Sequence, residues 1–408
     1  MCEGQLFRGP EPGGSRLKGN CRVQKQGIYV HIPFCLAKCR YCNFNSFPSR
    51  QGVPDAYIDA LLGDLENEAR RWDAEKKGAF ASIYFGGGTP SLLEVDQMAT
   101  IITSLRNAYS MEADVEVTVE CNPATVNLTK LAAYRDLGVT RLSIGVQSLC
   151  GDELESLGRI HKAADALEAL EAAHEAGFAN LSADVMLGIP GQGLASLAKT
   201  LDGIARYVTH VSVYMLTLEP GTPLHIMAAR GAVELPDEET VTDLYEHARH
   251  ILTQKGFSRY EISNYCLPGY ECLHNDIYWQ RGNYAGLGAG AHSHQDGWRY
   301  SKMRDAWAYM KIASRSGEVI DLSENLTADE MLLEDLMLGL RTARGVDLDY
   351  LASRYGMGSD RVPHLVEHLL KEGHLVKRGN YVALSPRGVL VHDAISQALA
   401  SAVSAISS

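Results

Sequence analysis

The 408-residue chain is 46% hydrophobic and 22% charged, the balance of an ordinary soluble globular protein with room for one large domain and a smaller one. It contains no run of about 18 apolar residues, which excludes a membrane-spanning helix, and its formal net charge of −12 argues against non-specific nucleic-acid binding. Nine cysteines, an odd count without a secretion signal, point to a reducing cytoplasmic setting rather than a disulfide framework. Residues 1–26 are rich in Gly, Pro, Lys and Arg and lack an apolar stretch. They are neither a signal peptide nor a fold element and are expected to form a disordered leader.

From Gly27 short apolar strands alternate with amphipathic helical stretches. Ile28–Ile32 reads as the first strand. Pro54–Trp72 reads as a helix, because Tyr57, Ile58, Leu61, Leu62, Leu65 and Ala69 recur at helical spacing. Strands are then expected at Ser82–Phe85, Val115–Glu120, Arg141–Val146, Leu181–Leu187 and His210–Leu218, with helices near Val95–Asn107, Leu128–Leu137, Lys162–Ala176 and Gly193–Tyr207. Six such units with right-handed crossovers make an α/β fold, a partial (β/α)6 barrel over residues 27–235, with its site at the carboxyl ends of the strands. Residues 236–346 then read as a smaller α+β region that opens on a long helix, Asp237–Lys255. Residues 347–408 read as a winged-helix-like tail: helices Leu348–Tyr355 and Val362–Lys371, a hairpin His374–Leu384 turning at Arg378-Gly379-Asn380, and a last helix Gly388–Leu399. The acidic chain and the few basic residues here favour a packing lid over a DNA-binding unit.

The most informative run is His31-Ile32-Pro33-Phe34-Cys35-Leu36-Ala37-Lys38-Cys39-Arg40-Tyr41-Cys42. Cys35, Cys39 and Cys42 offer three thiolates from one loop, whereas a closed iron–sulfur cluster or a structural zinc takes four ligands. Three inert cysteines, or half of a zinc site, would leave unexplained why the motif follows a strand and has partners downstream. Gly86-Gly87-Gly88-Thr89-Pro90 follows the second strand directly, one βα unit later. Glycines there let backbone approach a ligand with no Cβ in the way. Glu120, Gln147, Arg159 and Asp184 end or follow later strands. Carboxylates there can hold hydroxyls or an ammonium, and arginine can clamp a carboxylate.

The C-x3-C-x2-C spacing and the glycine run resemble those of the radical S-adenosylmethionine (SAM) enzymes. The resemblance implies a [4Fe-4S] cluster on Cys35, Cys39 and Cys42 whose open iron chelates SAM, and reductive cleavage of SAM with electrons from a reductant protein. From Gly27 onward the chain is similar to the oxygen-independent coproporphyrinogen III oxidase family, which implies SAM contacts at Tyr29, Gly87, Gly88, Thr89, Glu120, Gln147, Arg159 and Asp184.

Two features choose a branch of that family. Phe44 stands where the oxidases carry a fourth cysteine. His274-Asn275-Asp276-Ile277-Tyr278-Trp279, followed by Gly286-Leu287-Gly288-Ala289-Gly290-Ala291-His292, resembles the HNxxYW and glycine-rich stretches of the HemW-type haem chaperones. That resemblance implies binding of haem and its delivery to an acceptor haemoprotein such as a respiratory enzyme. It makes His274, flanked by Tyr270, Tyr278 and Trp279, the expected haem ligand. Without it, a lone His among aromatics reads as a hydrogen-bonded core residue. Cys266 and Cys272, in a Cys-x5-Cys-x-His run, offer metal binding or thioether attachment of haem, but read first as incidental thiols, and the C-x-x-C-H attachment pattern is absent. The alternatives are coproporphyrinogen oxidase activity, which is not expected here, and an anaerobic haem-modifying reaction. Homodimerisation and peripheral membrane association are both left open.

Overall fold

The computed structural model describes residues 25–72, 78–355 and 361–404. The expected leader, residues 1–26, lies almost wholly outside the described residues. Six strands run parallel and side by side in chain order: β1 (Gly27–Ile32), β2 (Phe80–Gly87), β3 (Met111–Cys121), β4 (Arg141–Gln147), β5 (Asn180–Leu187) and β6 (His210–Met215). Helices Asp55–Arg71, Val95–Ala108, Leu128–Asp136, Ala163–Glu175 and Leu194–Ile204 carry the crossovers. The partial (β/α)6 barrel expected from the periodicity is what forms. The run expected to reach Leu218 stops at Met215, because Pro220 and Gly221 turn the chain into helix Pro223–Ala229.

Strand alternation divides each strand between two environments. In β1, Ile28, Val30 and Ile32 are fully buried in the core, while Tyr29 and His31 face the barrel interior. In β3 the buried apolar residues include Val117 and Val119, and in β4 they are Leu142, Ile144 and Val146. The alternate positions hold Glu116, Glu120, Arg141, Ser143 and Gln147. The interior is therefore polar.

The sheet grows at both edges to twelve strands. Beyond β6, the expected Tyr260–Tyr265 segment folds as a tight hairpin, β7 (Ser258–Glu261) and β8 (Asn264–Cys266), with β8 antiparallel to β6. Beyond β1, β9 (Tyr284–Leu287) pairs in parallel with Gly27–Val30. Antiparallel β10 (His292–Gln295), β11 (Trp298–Lys302) and β12 (Ile320–Asn325) follow. β1 thus lies between β2 and β9, so the cysteine loop, the glycine run and the turn after β9 share one rim.

A buried ionic cluster fixes this edge. Lys302 Nζ lies 2.7 Å from Asp64 and 2.6 Å from Glu68, and all three side chains are fully buried. Tyr300 and Trp72 donate to Glu68, Tyr309 donates to Asp64 at 2.9 Å, and the Gly288 N–H donates to Asp64 at 3.1 Å. One ammonium faces two carboxylates. Burial pushes the Asp64 carboxyl up, against the pull of Lys302. The cluster ties helix Asp55–Arg71 to β11 and to the turn at Gly288.

The tail forms helices Leu348–Tyr355 and Arg361–Lys371 and a hairpin, Leu375–Arg378 with Tyr381–Leu384, joined through Gly379-Asn380. Val346–Asp347 adds a third strand, a winged-helix-like order. The expected last helix is broken: a short turn of helix at Pro386–Val389, capped by Ser385, precedes His392–Ser404. Among the described residues no helix is long and apolar enough to cross a membrane.

Candidate functional site

The cysteine loop leaves the carboxyl end of β1 and folds back through a short pairing of Phe34–Cys35 with Phe47–Pro48. Cys35, Cys39 and Cys42 are free and half-buried. Two outside groups donate to their sulfurs: Thr89 Oγ1 to Cys35 at 3.4 Å, and Arg159 Nη1 to Cys39 at 3.5 Å. Burial pushes the Cys35 and Cys42 thiols up, and neighbouring thiols of the same loop add to both shifts, which puts the sulfurs in one small volume. Among the described residues no group of three or more Cys, His, Asp or Glu is arranged to hold a single metal ion.

The glycine run ends β2 beside this loop. Gly88 donates its N–H to the Ile32 carbonyl at 2.9 Å, and a Cβ there would meet the Phe34 carbonyl oxygen at 2.7 Å. Gly87 has φ +113°, and a Cβ there would strike the His31 ring at 2.5 Å. These glycines therefore let β2 pack against the root of the cysteine loop, and Gly87 also lines the cavity there. The Gly87 N–H also donates to Glu120 at 3.3 Å, and the Tyr84 hydroxyl donates to Glu120 at 2.8 Å. Burial pushes the Glu120 carboxyl up to about 7; the Tyr84 hydroxyl pulls against burial, and the charge of Asp184 adds to it.

Asp184 accepts from Ser143 at 3.0 Å, and burial holds its carboxyl above the usual range. Arg159 donates to the Gly145 carbonyl at 2.9 Å and so bridges β4 to the cysteine loop. Gln147 adopts φ +60°, rare for a residue with a Cβ, and its buried Oε1 has no hydrogen-bond partner among the described residues. Tyr29 bonds His31 Nδ1 at 2.9 Å and packs against Tyr84, with ring centroids 6.2 Å apart. The sequence-predicted polar residues thus gather at or inside one rim.

Tyr29, Gly87 and Glu120 also line a cavity of about 790 Å³, within the range of small-molecule sites. Its walls include Tyr29, Phe44, Tyr278, Trp279, Tyr284 and Arg304. Phe44 is 64% exposed and turns its ring to this space, which explains a large apolar side chain in a polar loop.

His274 takes a different position from that of an open ligand. It lies on helix Leu273–Trp279, whose first N–H groups are capped by the Glu116 carboxylate at 3.2–3.3 Å. Its ring is fully buried on the barrel floor, close to Tyr84 and Tyr29. Nδ1 shares a hydrogen bond with Ser82 at 2.8 Å, and Nε2 shares one with Tyr278 at 2.8 Å. Burial, then the Arg141 charge, pushes the imidazole down to about 3, so it is neutral. Neither nitrogen faces open space in this conformation. Cys266 and Cys272 are buried as well, with thiols pushed up to about 12 by burial, so they are unreactive thiols.

Sequence reasoning did not single out Tyr84, Arg141 or Arg304. Tyr84 and Arg141 occupy alternate, inward positions of strands that were read only for their apolar face. That parity was the available signal.

The Radical SAM superfamily model matches residues 29–204, and the HemN C-terminal domain model matches residues 326–391. The chain is 35% identical to the Heme chaperone HemW of Mycobacterium tuberculosis (strain ATCC 25618 / H37Rv), over 92% of this chain and 95% of that one. It is 34% identical to the Heme chaperone HemW of Escherichia coli (strain K12), over 89% and 95%. It is 38% identical to the Radical S-adenosyl methionine domain-containing protein 1, mitochondrial, of Bos taurus, over 79% and 74%. Its fold is similar to that of the solved coproporphyrinogen III oxidase (HemN) from Escherichia coli, a radical SAM enzyme, with a TM-score of 0.79 at 23% identity over 92% of this chain and 90% of that one. A cysteine loop and glycine run on a six-unit parallel barrel, joined to the HNxxYW helix and a HemN-type tail, agree with these likenesses: the chain belongs to the HemW family of radical SAM proteins.

Proposed function

We propose that this protein is a haem chaperone. It binds haem in the cavity beside the cysteine loop and passes it to an acceptor haemoprotein, such as a respiratory enzyme. The observation that carries this reading is the cavity itself: about 790 Å³, walled by Phe44, Tyr278, Trp279 and Tyr284, and rimmed by cationic and imidazole side chains. Flat aromatic walls with a few polar groups suit an apolar macrocycle carrying carboxylates.

The residues present fit a [4Fe-4S] cluster with SAM. Cys35, Cys39 and Cys42 would hold three irons, and the donors Thr89 and Arg159 would stabilise thiolate charge there. The Gln147 Oε1 is a buried acceptor with no donor among the described residues, and the buried Glu120 carboxylate accepts only from neutral donors, Tyr84 and the Gly87 N–H, as a ligand bearing an ammonium and hydroxyls requires. When bound, the cluster and SAM supply one-electron reductive chemistry, fed by a reductant protein. Around them, Glu120 accepts from Tyr84 and the Gly87 N–H, Arg159 keeps positive charge at Cys39, and Phe44 screens the cavity side of the loop from water.

The test is anaerobic. Reconstituted protein is titrated with hemin and, separately, incubated with coproporphyrinogen III, SAM and reductant. The reading expects about one hemin per chain and no protoporphyrinogen by chromatography. Porphyrinogen turnover without hemin binding overturns it.

A further inference from the structure

Four histidines stand at or behind the cavity, and three are committed. His31 shares hydrogen bonds with the Tyr29 hydroxyl and the Asn45 carbonyl, both at 2.9 Å. His274 bonds Ser82 and Tyr278. His294 bonds the Gly282 carbonyl at 2.9 Å through Nδ1 and accepts from the Gly297 N–H at 3.2 Å through Nε2. His292 differs. It opens β10, lines the cavity and is exposed, and its imidazole has no hydrogen-bond or ion-pair partner among the described residues.

The cavity's three arginines divide in the same way. Arg281 is held by Asp335 at 2.7 Å and by Tyr355 at 2.7 Å, and Arg299 is held by Glu324 and Glu334. The exposed Arg304 guanidinium has no partner among the described residues. One uncommitted imidazole and one uncommitted guanidinium therefore face one aromatic-walled space.

We propose that His292 would ligate the haem iron in this cavity, that Arg304 would hold a propionate carboxylate of the same haem, and that His274 is a positioning residue that fixes the Tyr278 ring on the cavity wall. This assignment rests on the haem-binding reading above. Its chemistry is consistent. A neutral imidazole is the form that ligates iron, and burial together with the Arg304 and Arg299 charges draws His292 toward that form. A guanidinium matches a carboxylate with two parallel hydrogen bonds. Positions 274 and 278 lie one turn apart on the same helix, which is why His274 Nε2 reaches the Tyr278 hydroxyl from below.

The test is optical titration of anaerobic, cluster-reconstituted protein with hemin, and with hemin dimethyl ester, which lacks free carboxylates. His292→Ala is expected to weaken hemin at least about tenfold and to move the Soret band, while the iron and sulfide content stays at the parent value. His292→Cys is expected to regain affinity with a thiolate-type spectrum. Arg304→Gln is expected to weaken hemin about tenfold and to leave the dimethyl ester unaffected. His274→Leu and Tyr278→Phe are expected to lower affinity alike without moving the Soret band. A parent spectrum and affinity in His292→Ala, or a Soret shift in His274→Leu equal to ligand loss, overturns this assignment and leaves the haem reading standing. No hemin binding by the parent protein overturns both.

Discussion

Gly88→Ala is expected to damage the cysteine loop through packing alone. The new Cβ would lie 2.7 Å from the Phe34 carbonyl oxygen, 2.9 Å from the Phe34 nitrogen and 3.0 Å from the Ile32 carbonyl oxygen. All three are backbone atoms, so no side chain can swing aside. Reaching ordinary contact at 3.4 Å moves Phe34 by about 0.7 Å from its present place. The Gly88 N–H bond to Ile32, 2.9 Å long, crosses the same gap and is strained by that shift. Overpacking costs about 1–3 kcal/mol, and a weakened hydrogen bond adds about 0.5–1.5 kcal/mol. The sum is a loss of about 2–4 kcal/mol, directed at the residue that precedes Cys35. Urea unfolding of the apoprotein reads the stability, and iron and sulfide analysis after reconstitution reads the cluster. Gly151→Ala is the control, because its Cβ meets nothing within 4 Å at the start of helix Gly151–Leu157, and it is expected to stay within about 0.5 kcal/mol of the parent. A Gly88→Ala protein with parent stability and full cluster content would refute the reasoning.

Further outcomes follow from the same geometry. On the proposed reading Glu120, whose carboxyl burial raises to about 7, pairs with the SAM ammonium only when ionised, so SAM affinity is expected to rise between pH 6 and 8 and to be weak and flat in Glu120→Gln; equilibrium dialysis checks this. Because the folded pKa lies above the unfolded one, Glu120 favours the folded apoprotein most at low pH and loses that contribution as pH rises through about 7. Lys302→Met removes the ammonium between Asp64 and Glu68, leaving Glu68 with Arg71 at 3.1 Å and Asp64 without an ion-pair partner among the described residues, at a cost of about 3–5 kcal/mol; urea unfolding showing less than about 1 kcal/mol would contradict the cluster's structural role. Cys39→Ala is expected to lose the iron–sulfur absorbance, whereas Cys150→Ala, outside the loop, keeps it.

The barrel was legible because β1 to β6 bury one face completely, which leaves an apolar residue at every second position with amphipathic helices between. The cysteine and glycine runs were legible because their chemistry is local. The outer strands were not, for two reasons. β12 reads Ile320-Asp321-Leu322-Ser323-Glu324-Asn325 and is mostly exposed, so it lacks a buried stripe. β9 pairs with β1 across more than two hundred residues, a choice no local pattern encodes. The Lys302 cluster joins residues 234 and 238 positions apart and was invisible for the same reason. The aromatic neighbours of His274 were legible in sequence, but that its helix turns the ring to Ser82 and Tyr278 was not. His292 and His294 share one strand face, and only the folded chain shows that Gly282 and Gly297 occupy one imidazole and leave the other open.

The central claim is that this protein carries haem in order to give it away. Hemin-loaded protein, freed of excess hemin and mixed anaerobically with an apo-cytochrome of b type, tests it most directly by the growth of the acceptor's own absorbance spectrum. The account predicts transfer of about one hemin per chain, with loss of the donor's Soret band and no change in the tetrapyrrole recovered by chromatography. Hemin that stays on the donor, or that is recovered chemically altered, would contradict it.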